Sequence, residues 1–287
     1  MIYLFLSIII STGLFVIFKY FGIYKIDVLK AIFINYIVAF ILGFSLSEKQ
    51  FSILEIPEQS WFKGALFLGA LFVSIFFVMA LTAQRNGVSV ASVAGKMSVV
   101  IPVFFGVFLY DETVTTLKIV GILIALVAVY LSSVKDSTKG VKKAGLLFPI
   151  LLFLGSGTID TLLKYLETNF VQREDVSLFS GSLFAIAACF SGIILLVKSI
   201  KQKKQFGIQN CIAGFILGVP NYFSIIFLIK ALQTEGFESS TLFTINNVGI
   251  VLVSTLVGIL LFKEKFSLKN KIGVVLSVLG ILLVAIA

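Results

Sequence analysis

The chain has 287 residues, of which 59% are hydrophobic and 13% are charged, and its formal net charge is +9. With a mean hydropathy of +1.11 it lacks the polar surface that a soluble domain needs, so soluble enzymes and soluble binding modules are excluded. The basic residues collect at the ends of apolar stretches, which is the pattern of membrane topology, so no nucleic-acid partner is expected.

Metal and cofactor sites are not expected either. The chain has no histidine, and Cys189 and Cys211 each stand alone in an apolar stretch without the spacing of metal ligands. There is also no Gly-rich phosphate-binding loop ending in Lys and Ser or Thr, which excludes pumping driven by ATP.

Ten apolar stretches follow one another along the chain with short connections. They cover residues 2–21, 28–46, 61–83, 88–110, 115–134, 144–165, 176–198, 209–232, 237–262 and 267–287. Roughly 20 apolar residues in a helix cross a hydrocarbon core about 30 Å thick. Backbone groups in lipid need internal hydrogen bonds, which favours helices over strands. The predicted fold is an all-α polytopic membrane protein with ten transmembrane helices.

The second half of the chain repeats the first. Gly106 aligns with Gly258, Tyr110-Asp111-Glu112 with Phe262-Lys263-Glu264, and Gly121 with Gly273. Small residues also match at helix-packing spacing: Ala65 and Gly69 with Gly214 and Gly218, and Gly121 and Ala125 with Gly273 and Ser277. We predict a first half over 1–134 (helices one to five), a basic connector over 135–141, and a second half over 142–287 (helices six to ten).

Charge predicts how the two halves are oriented. Most of the 23 basic residues lie in or beside the odd-numbered loops, which the positive-inside rule places in the cytoplasm, with both termini outside. An odd number of helices in each half puts the equivalent residues Asp111 and Lys263 on opposite faces, in keeping with their opposite charges. The halves are therefore predicted to be inverted repeats, and in transporters with such repeats the substrate site lies between the two copies.

Ionisable residues deep in membrane helices are functional candidates, because burying a charge in lipid costs several kcal/mol. Lys96 lies in the fourth stretch and Asp160 in the sixth, with Lys164 one helical turn after Asp160. Two interpretations of Lys96 and Asp160 are open. They line the path of a substrate or coupling ion, or they pair with each other as a buried structural bridge. Asp160 is the candidate proton carrier if protons drive transport. Lys230, close to the end of the eighth stretch, is shallow enough to extend to the membrane surface.

Neutral polar residues complete the predicted path. The candidates are Asn35, Gln84, Ser92, Asn221, Asn246 and Asn247. Ser and Thr often return their hydrogen bonds to the preceding helical turn, whereas the adjacent Asn246 and Asn247 have no such outlet and are expected to reach a cavity or another helix. Pro102 and Pro220 each remove a helical hydrogen bond, which is predicted to free the carbonyls of Ser98 and Ile216, and both are read either as hinges beside the path or as packing kinks.

These residues resemble the drug/metabolite transporter superfamily, in its ten-helix branch with two EamA-type halves. The resemblance spans the chain and is most specific where Ala80-Leu81 and Ala231-Leu232 precede a polar turn, and where the corners at 110–112 and 262–264 lead to Gly121 and Gly273. It implies a carrier of the cytoplasmic (inner) membrane, with a cavity lined by both halves, that moves small metabolites, often outward. It also implies cytoplasmic termini, which conflicts with the charge distribution, so the orientation stays open.

The leading functional hypothesis is a secondary active transporter, exchanger or exporter of small polar metabolites, such as an amino acid or related compound, working by alternating access. The alternatives are a facilitative channel or a multidrug efflux carrier, with an integral membrane enzyme or a receptor as remote ones. The expected partners are a small-molecule substrate, the lipid bilayer and a proton as candidate coupling ion. Monomer and homodimer both stay open.

Overall fold

The computed structural model describes residues 1–46, 53–109, 115–133, 146–171, 176–201, 207–232 and 239–285. The α-helices are α1 (Ile2–Ile23), α2 (Val28–Ser45), α3 (Phe62–Arg85), α4 (Val88–Met97), α5 (Val100–Leu109), α6 (Thr116–Ser133), α7 (Leu147–Phe170), α8 (Val176–Lys201), α9 (Ile208–Leu232), α10 (Ser239–Leu260) and α11 (Leu268–Ala285). A 3₁₀ segment, Ile53–Glu58, precedes α3. The predicted connector 135–141 and the first corner, 110–112, lie outside the described residues.

Seven spans within the described residues are long and apolar enough to cross a membrane. They are α1, α2, α3, α7, the greater part of α8 and of α9, and the stretch Val88–Phe105 formed by α4 and α5. Shorter apolar stretches, Ile119–Ser132 and Ile245–Leu260, lie within α6 and α10. Every regular element of the described chain is helical, so the prediction of an all-α polytopic membrane protein is confirmed at this level, while the number of ten spans stays a prediction.

The outer surface of the helix bundle is apolar. Large hydrophobic side chains on several helices are well exposed, among them Phe5, Leu196, Ile208 and Leu260. An exposed apolar surface of this extent marks contact with a membrane or a partner. Together with the apolar spans, it identifies an integral membrane protein whose helices face lipid.

Short polar residues set the starts of two helices. The side chain of Asp27 accepts a hydrogen bond from the backbone N–H of Leu29 at 3.2 Å, which caps α2. At α11 the pairing is reciprocal: the backbone N–H of Asn270 donates to the Ser267 hydroxyl at 3.2 Å, and the backbone N–H of Ser267 donates to the Asn270 side chain at 3.1 Å. These local bonds satisfy backbone donors that a helix leaves free at its start.

The fourth predicted helix is divided into α4 and α5. The break falls at Ser98–Val99, and Pro102, whose ring nitrogen has no hydrogen to donate, lies in the first turn of α5. We predicted that this proline would leave the Ser98 carbonyl free, and this is wrong, because the N–H of Ile101 donates to it at 2.9 Å in a tighter turn. Pro220, in contrast, lies within α9 without interrupting it.

Helices α6 and α11 pack side by side in opposite directions. The side chain of Asn270, at the start of α11, donates to the carbonyl of Ser132, at the end of α6, at 2.8 Å. A Cβ at Gly273 would lie 2.5 Å from the backbone N of Ser132, and a Cβ at Gly121 would lie 2.7 Å from the Val284 side chain. The predicted role of these glycines in helix packing is confirmed.

Contacts between the other helices also come in equivalent pairs, in which a helix of one half is replaced by the corresponding helix of the other half. Helix α1 packs against α9 and α10, while α7 packs against α3 and against α4 and α5. Gly218 of α9 lies against Val38 of α2, and Gly69 of α3 lies against Ala187 of α8. The contacts of α1 with α9 and α10 thus correspond to those of α7 with α3, α4 and α5, and the contact of Gly218 with α2 corresponds to that of Gly69 with α8.

Candidate functional site

The break between α4 and α5 lies against α7, and this contact brings Lys96 and Asp160 towards each other. The Ile101 side chain packs over Gly157, where a Cβ would lie 2.6 Å from the Cβ of Ile101. Gly157 and Asp160 lie three residues apart and so share one face of α7. Lys96 is half-buried, close to the end of α4, and its charge and that of Asp160 are near enough to interact.

The two charged groups do not form the direct bridge that we considered as a structural alternative. In the part of the chain that the structure describes, no ion pair joins Lys96 and Asp160, although each charge acts on the other. The Asp160 side chain is exposed. Lys164, one turn further along α7, is exposed as well. The two charges therefore interact across a separation longer than that of a direct ion pair.

A second polar group joins α1, α9 and α10. The Ser7 hydroxyl donates to Oδ1 of Asn246 at 3.0 Å and lies 3.5 Å from the carbonyl of Ser224. Asn246 and Asn247 are both buried, and Nδ2 of Asn246 has no partner among the described residues. Asn246 thus reaches a neighbouring helix, and Ser7 is a member of this group that the sequence analysis missed. An isolated Ser in an apolar helix carried no signal by which to find it.

Helix α2 carries two adjacent buried polar side chains. Asn35 is fully buried, and neither its amide nitrogen nor its amide oxygen has a partner among the described residues. The hydroxyl of the neighbouring Tyr36 is also buried without a partner there, and its ring lies against Phe76 and Phe184. Asn35 was predicted from the sequence, whereas Tyr36 was not, although its position next to Asn35 in an apolar helix could have indicated it. Asn221 of α9 is buried too.

Gln84 and Ser92 make contacts that hold helices together. The side-chain amide of Gln84 donates to the carbonyl of Phe18 at 3.1 Å, and the Lys19 amine donates to the backbone carbonyl of Gln84 at 3.2 Å, so α3 is tied to the end of α1. Ser92 is fully buried on α4, and the hydroxyl of Ser254 on α10 donates to its hydroxyl. Neither residue is brought to Lys96 and Asp160 by a hydrogen bond.

Glu264 is a further polar residue whose interactions the sequence analysis did not anticipate. Its carboxylate accepts hydrogen bonds from the backbone N–H of Val88 at 2.7 Å and from the Ser89 hydroxyl at 3.0 Å. It borders a cavity of about 570 Å³, lined also by Lys19, Arg85, Asn86, Lys265 and Asn270. The repeated corner at 262–264 marked this residue in the sequence but did not indicate its partners.

Comparison with known proteins identifies the family. The model of the EamA-like transporter family matches residues 1–134 and 143–286. The chain belongs to this family. Its assignment to the drug/metabolite transporter superfamily, which the resemblance suggested, is thereby confirmed, and the protein is a transmembrane transporter by family.

Two further comparisons concern individual proteins. A Haemophilus influenzae protein, described as uncharacterized, is 30% identical over 258 residues, which cover 88% of this chain and 86% of that protein. A protein of known crystal structure matches 97% of this chain and 96% of its own with a TM-score of 0.56 and 14% identity. At this identity the structural match shows the fold alone.

Proposed function

We propose that this protein is a secondary active transporter or exchanger of small polar metabolites, working by alternating access in the cytoplasmic membrane. The observation that carries the proposal is the pair of interacting but unbridged charges, Lys96 on α4 and Asp160 on α7, which come from different halves of the chain. Charges within membrane helices are costly, and in transporters they mark substrate and ion paths.

We further propose that the chain forms ten spans in two inverted repeats. The contacts between α6 and α11 support this arrangement. Gly121 of α6 contacts Val284 of α11, and Gly273 of α11 contacts Ser132 of α6. Ser132 follows Gly121 by the same number of residues as Val284 follows Gly273. The two contacts are therefore equivalent, with the two halves exchanged. A twofold axis relates equivalent helices that run in opposite directions only if it lies in the membrane plane, which is the arrangement of inverted repeats.

The chemistry of the pair sets expectations for the ligand. The ammonium group of Lys96 favours a ligand with a carboxylate or phosphate group, because such groups form charge-assisted hydrogen bonds. Asp160 can bind a cationic part of the ligand or carry a coupling proton. The buried polar atoms of Asn35, Asn221, Asn246 and Asn247 are proposed to complete the path.

The proposal is tested by counterflow in proteoliposomes. Purified protein is reconstituted with a mixed pool of amino acids and other small polar metabolites, and mass spectrometry follows what leaves the vesicles. A carrier is expected to show saturable efflux that rises when the same compound is added outside. Efflux that neither saturates nor responds to outside compound would indicate a channel instead.

The site assignment is tested by K96M and D160N in the same assay. Each change removes one of the two charges, and we expect the rate of counterflow to fall at least about tenfold, because a lost hydrogen bond to a charged group is worth about 1.5–3 kcal/mol. K230M is the matched control, since Lys230 is exposed and lies over the Tyr3 ring at 5.5 Å. Wild-type rates in K96M or D160N, with normal membrane insertion, would remove that residue from the site.

A further inference from the structure

Glu264 joins the two halves of the chain at one end of the helix bundle. It follows α10 in the second half, and its carboxylate receives the N–H of Val88 and the hydroxyl of Ser89 at the start of α4 in the first half. The start of a helix carries partial positive charge and free N–H groups, so a carboxylate is well suited to this position. Gly87, at the N-cap of α4, provides no side chain for this purpose.

Two glycines make the space that the carboxylate occupies. Gly87 has a φ of 118°, a conformation that other residues rarely adopt, and a Cβ there would lie 2.7 Å from Oε1 of Glu264. A Cβ at Gly258 would lie 2.5 Å from Oε2 and from the Ser89 hydroxyl. The backbone N–H of Glu264 donates to the carbonyl of Gly258 at 3.0 Å, which fixes the turn. The position of the carboxylate is therefore defined from both halves.

Buried hydroxyls extend this contact along the interface of α4 and α10. The Ser92 hydroxyl donates to the carbonyl of Ser89 at 2.9 Å, and the Ser254 hydroxyl donates to that of Ser92. Ser89, Ser92 and Ser254 are almost completely inaccessible to solvent. We call Glu264, Ser89, Ser92 and Ser254 the latch. It closes the interface between the halves on the side of Arg85 and Lys265.

Among the described residues, α5, which continues α4 beyond the break, does not pack closely against α10. Phe104 and Phe105 of α5 are exposed, as is Ile245 in the first half of α10. Among the described residues, the side-chain hydrogen bonds across this interface thus lie at the latch. Lys96 lies on α4 itself, and Asp160 lies on α7, which packs against α4 and α5.

We propose that the latch is the gate on the side of the odd-numbered loops, which releases when the transporter changes its open side. This inference rests on the proposed alternating access and adds its regulation. The carboxylate of Glu264 holds the gate shut by capping α4, so the state seen here is closed at the latch. When the gate releases, the Glu264 carboxylate loses its hydrogen bonds from the N–H of Val88 and the hydroxyl of Ser89, and accepts hydrogen bonds from water instead.

The gate is tested by cysteine accessibility, which needs no transported substrate. In a C189A/C211A background, S254C places a thiol inside the latch, and a water-soluble maleimide labels it in lipid nanodiscs only when the gate opens. We expect E264Q to raise the labelling rate about tenfold, because a neutral acceptor binds the two donors more weakly than a carboxylate does. S89A, which removes one of the two bonds, is expected to raise it about threefold on the same grounds.

Matched controls distinguish the gate from general loosening. K265Q changes a neighbouring charge that borders the same cavity without entering the latch, and S254C labelling is expected to stay unchanged. K265C places a thiol at an exposed position, which is expected to be labelled at the same rate with and without E264Q. Equal rates of S254C labelling with and without E264Q would overturn the proposed gate. If E264Q does not fold, the labelling rate in S89A decides the same question. Because no transport is measured, a failed gate and a failed transport proposal give different results.

Discussion

Individual polar residues in this bundle fall into two groups, those with partners and those without. Ser7, Gln84 and Glu264 each form hydrogen bonds to another helix or to its end. Asn35 is the opposite case, because both polar atoms of its side chain are buried without a partner among the described residues. A buried amide that forms no hydrogen bond lowers stability, so its presence in an apolar helix requires a reason other than packing.

The variant N35L tests whether Asn35 serves a purpose other than stability. Removing an unpartnered amide is expected to leave the melting temperature unchanged or to raise it, since the unfulfilled group costs about 1–3 kcal/mol. Fluorescence-monitored thermal unfolding in detergent measures this. N246L is the matched comparison and is expected to lower the melting temperature, because it removes the acceptor of the Ser7 hydroxyl.

Transport measured on the same N35L sample gives the second half of the result. Raised stability together with lost counterflow would place Asn35 in the substrate path, because function and stability then separate. A melting temperature lowered as far as in N246L would contradict the prediction and would mean that Asn35 has a hydrogen-bonding partner in the folded protein.

At the scale of the helix, close packing between α6 and α11 joins the two halves. Gly121, Gly273 and Gly280 lie at this contact, and at Gly273 the nearest atoms belong to the backbone of Ser132. A backbone cannot rotate out of the way as a long side chain can, so added volume here must separate the helices. Small residues at such contacts are the usual basis of helix association in lipid.

The variant G273A is therefore expected to destabilise the protein by about 1–3 kcal/mol, the usual cost of overpacking a tight interface. G13A is the matched control on α1, since a Cβ there meets no atom within 4 Å. G13A should be neutral or stabilising, because alanine favours helix over glycine by about 0.5–1 kcal/mol. Thermal unfolding of both variants measures the difference. Equal melting temperatures would show that α6 and α11 can move apart to accommodate the added methyl group without loss of stability.

At the scale of the whole molecule, the exchange of equivalent contacts between the halves supports the proposed alternating access. If the halves are inverted copies, the end closed by Glu264 and the opposite end beside α5 can exchange roles when each half takes the conformation of the other. The same relation predicts that equivalent loop positions lie on opposite sides of the membrane.

Cysteines introduced at equivalent positions test the inversion. In the C189A/C211A background, D111C and K263C are expected to react with a membrane-impermeant maleimide from opposite sides of intact cells and inverted vesicles. By the positive-inside rule, K263C should react from the cytoplasmic side. Labelling of both from one side would show that the copies are parallel. Labelling of K263C from outside would instead reverse the orientation that the charges indicate.

The amino-acid sequence by itself determined the membrane class, the approximate helix bounds, the repeat and the family. Hydropathy and glycine spacing are local properties of the chain, so they can be recognised without any knowledge of tertiary contacts. It also selected Lys96 and Asp160, since a charge within an apolar stretch is visible before any tertiary contact is known. Only the tertiary structure decided that these two charges face each other without a direct bridge. It alone paired Glu264 with Val88 and Ser89, because hydrogen bonds between distant segments depend on how the helices pack.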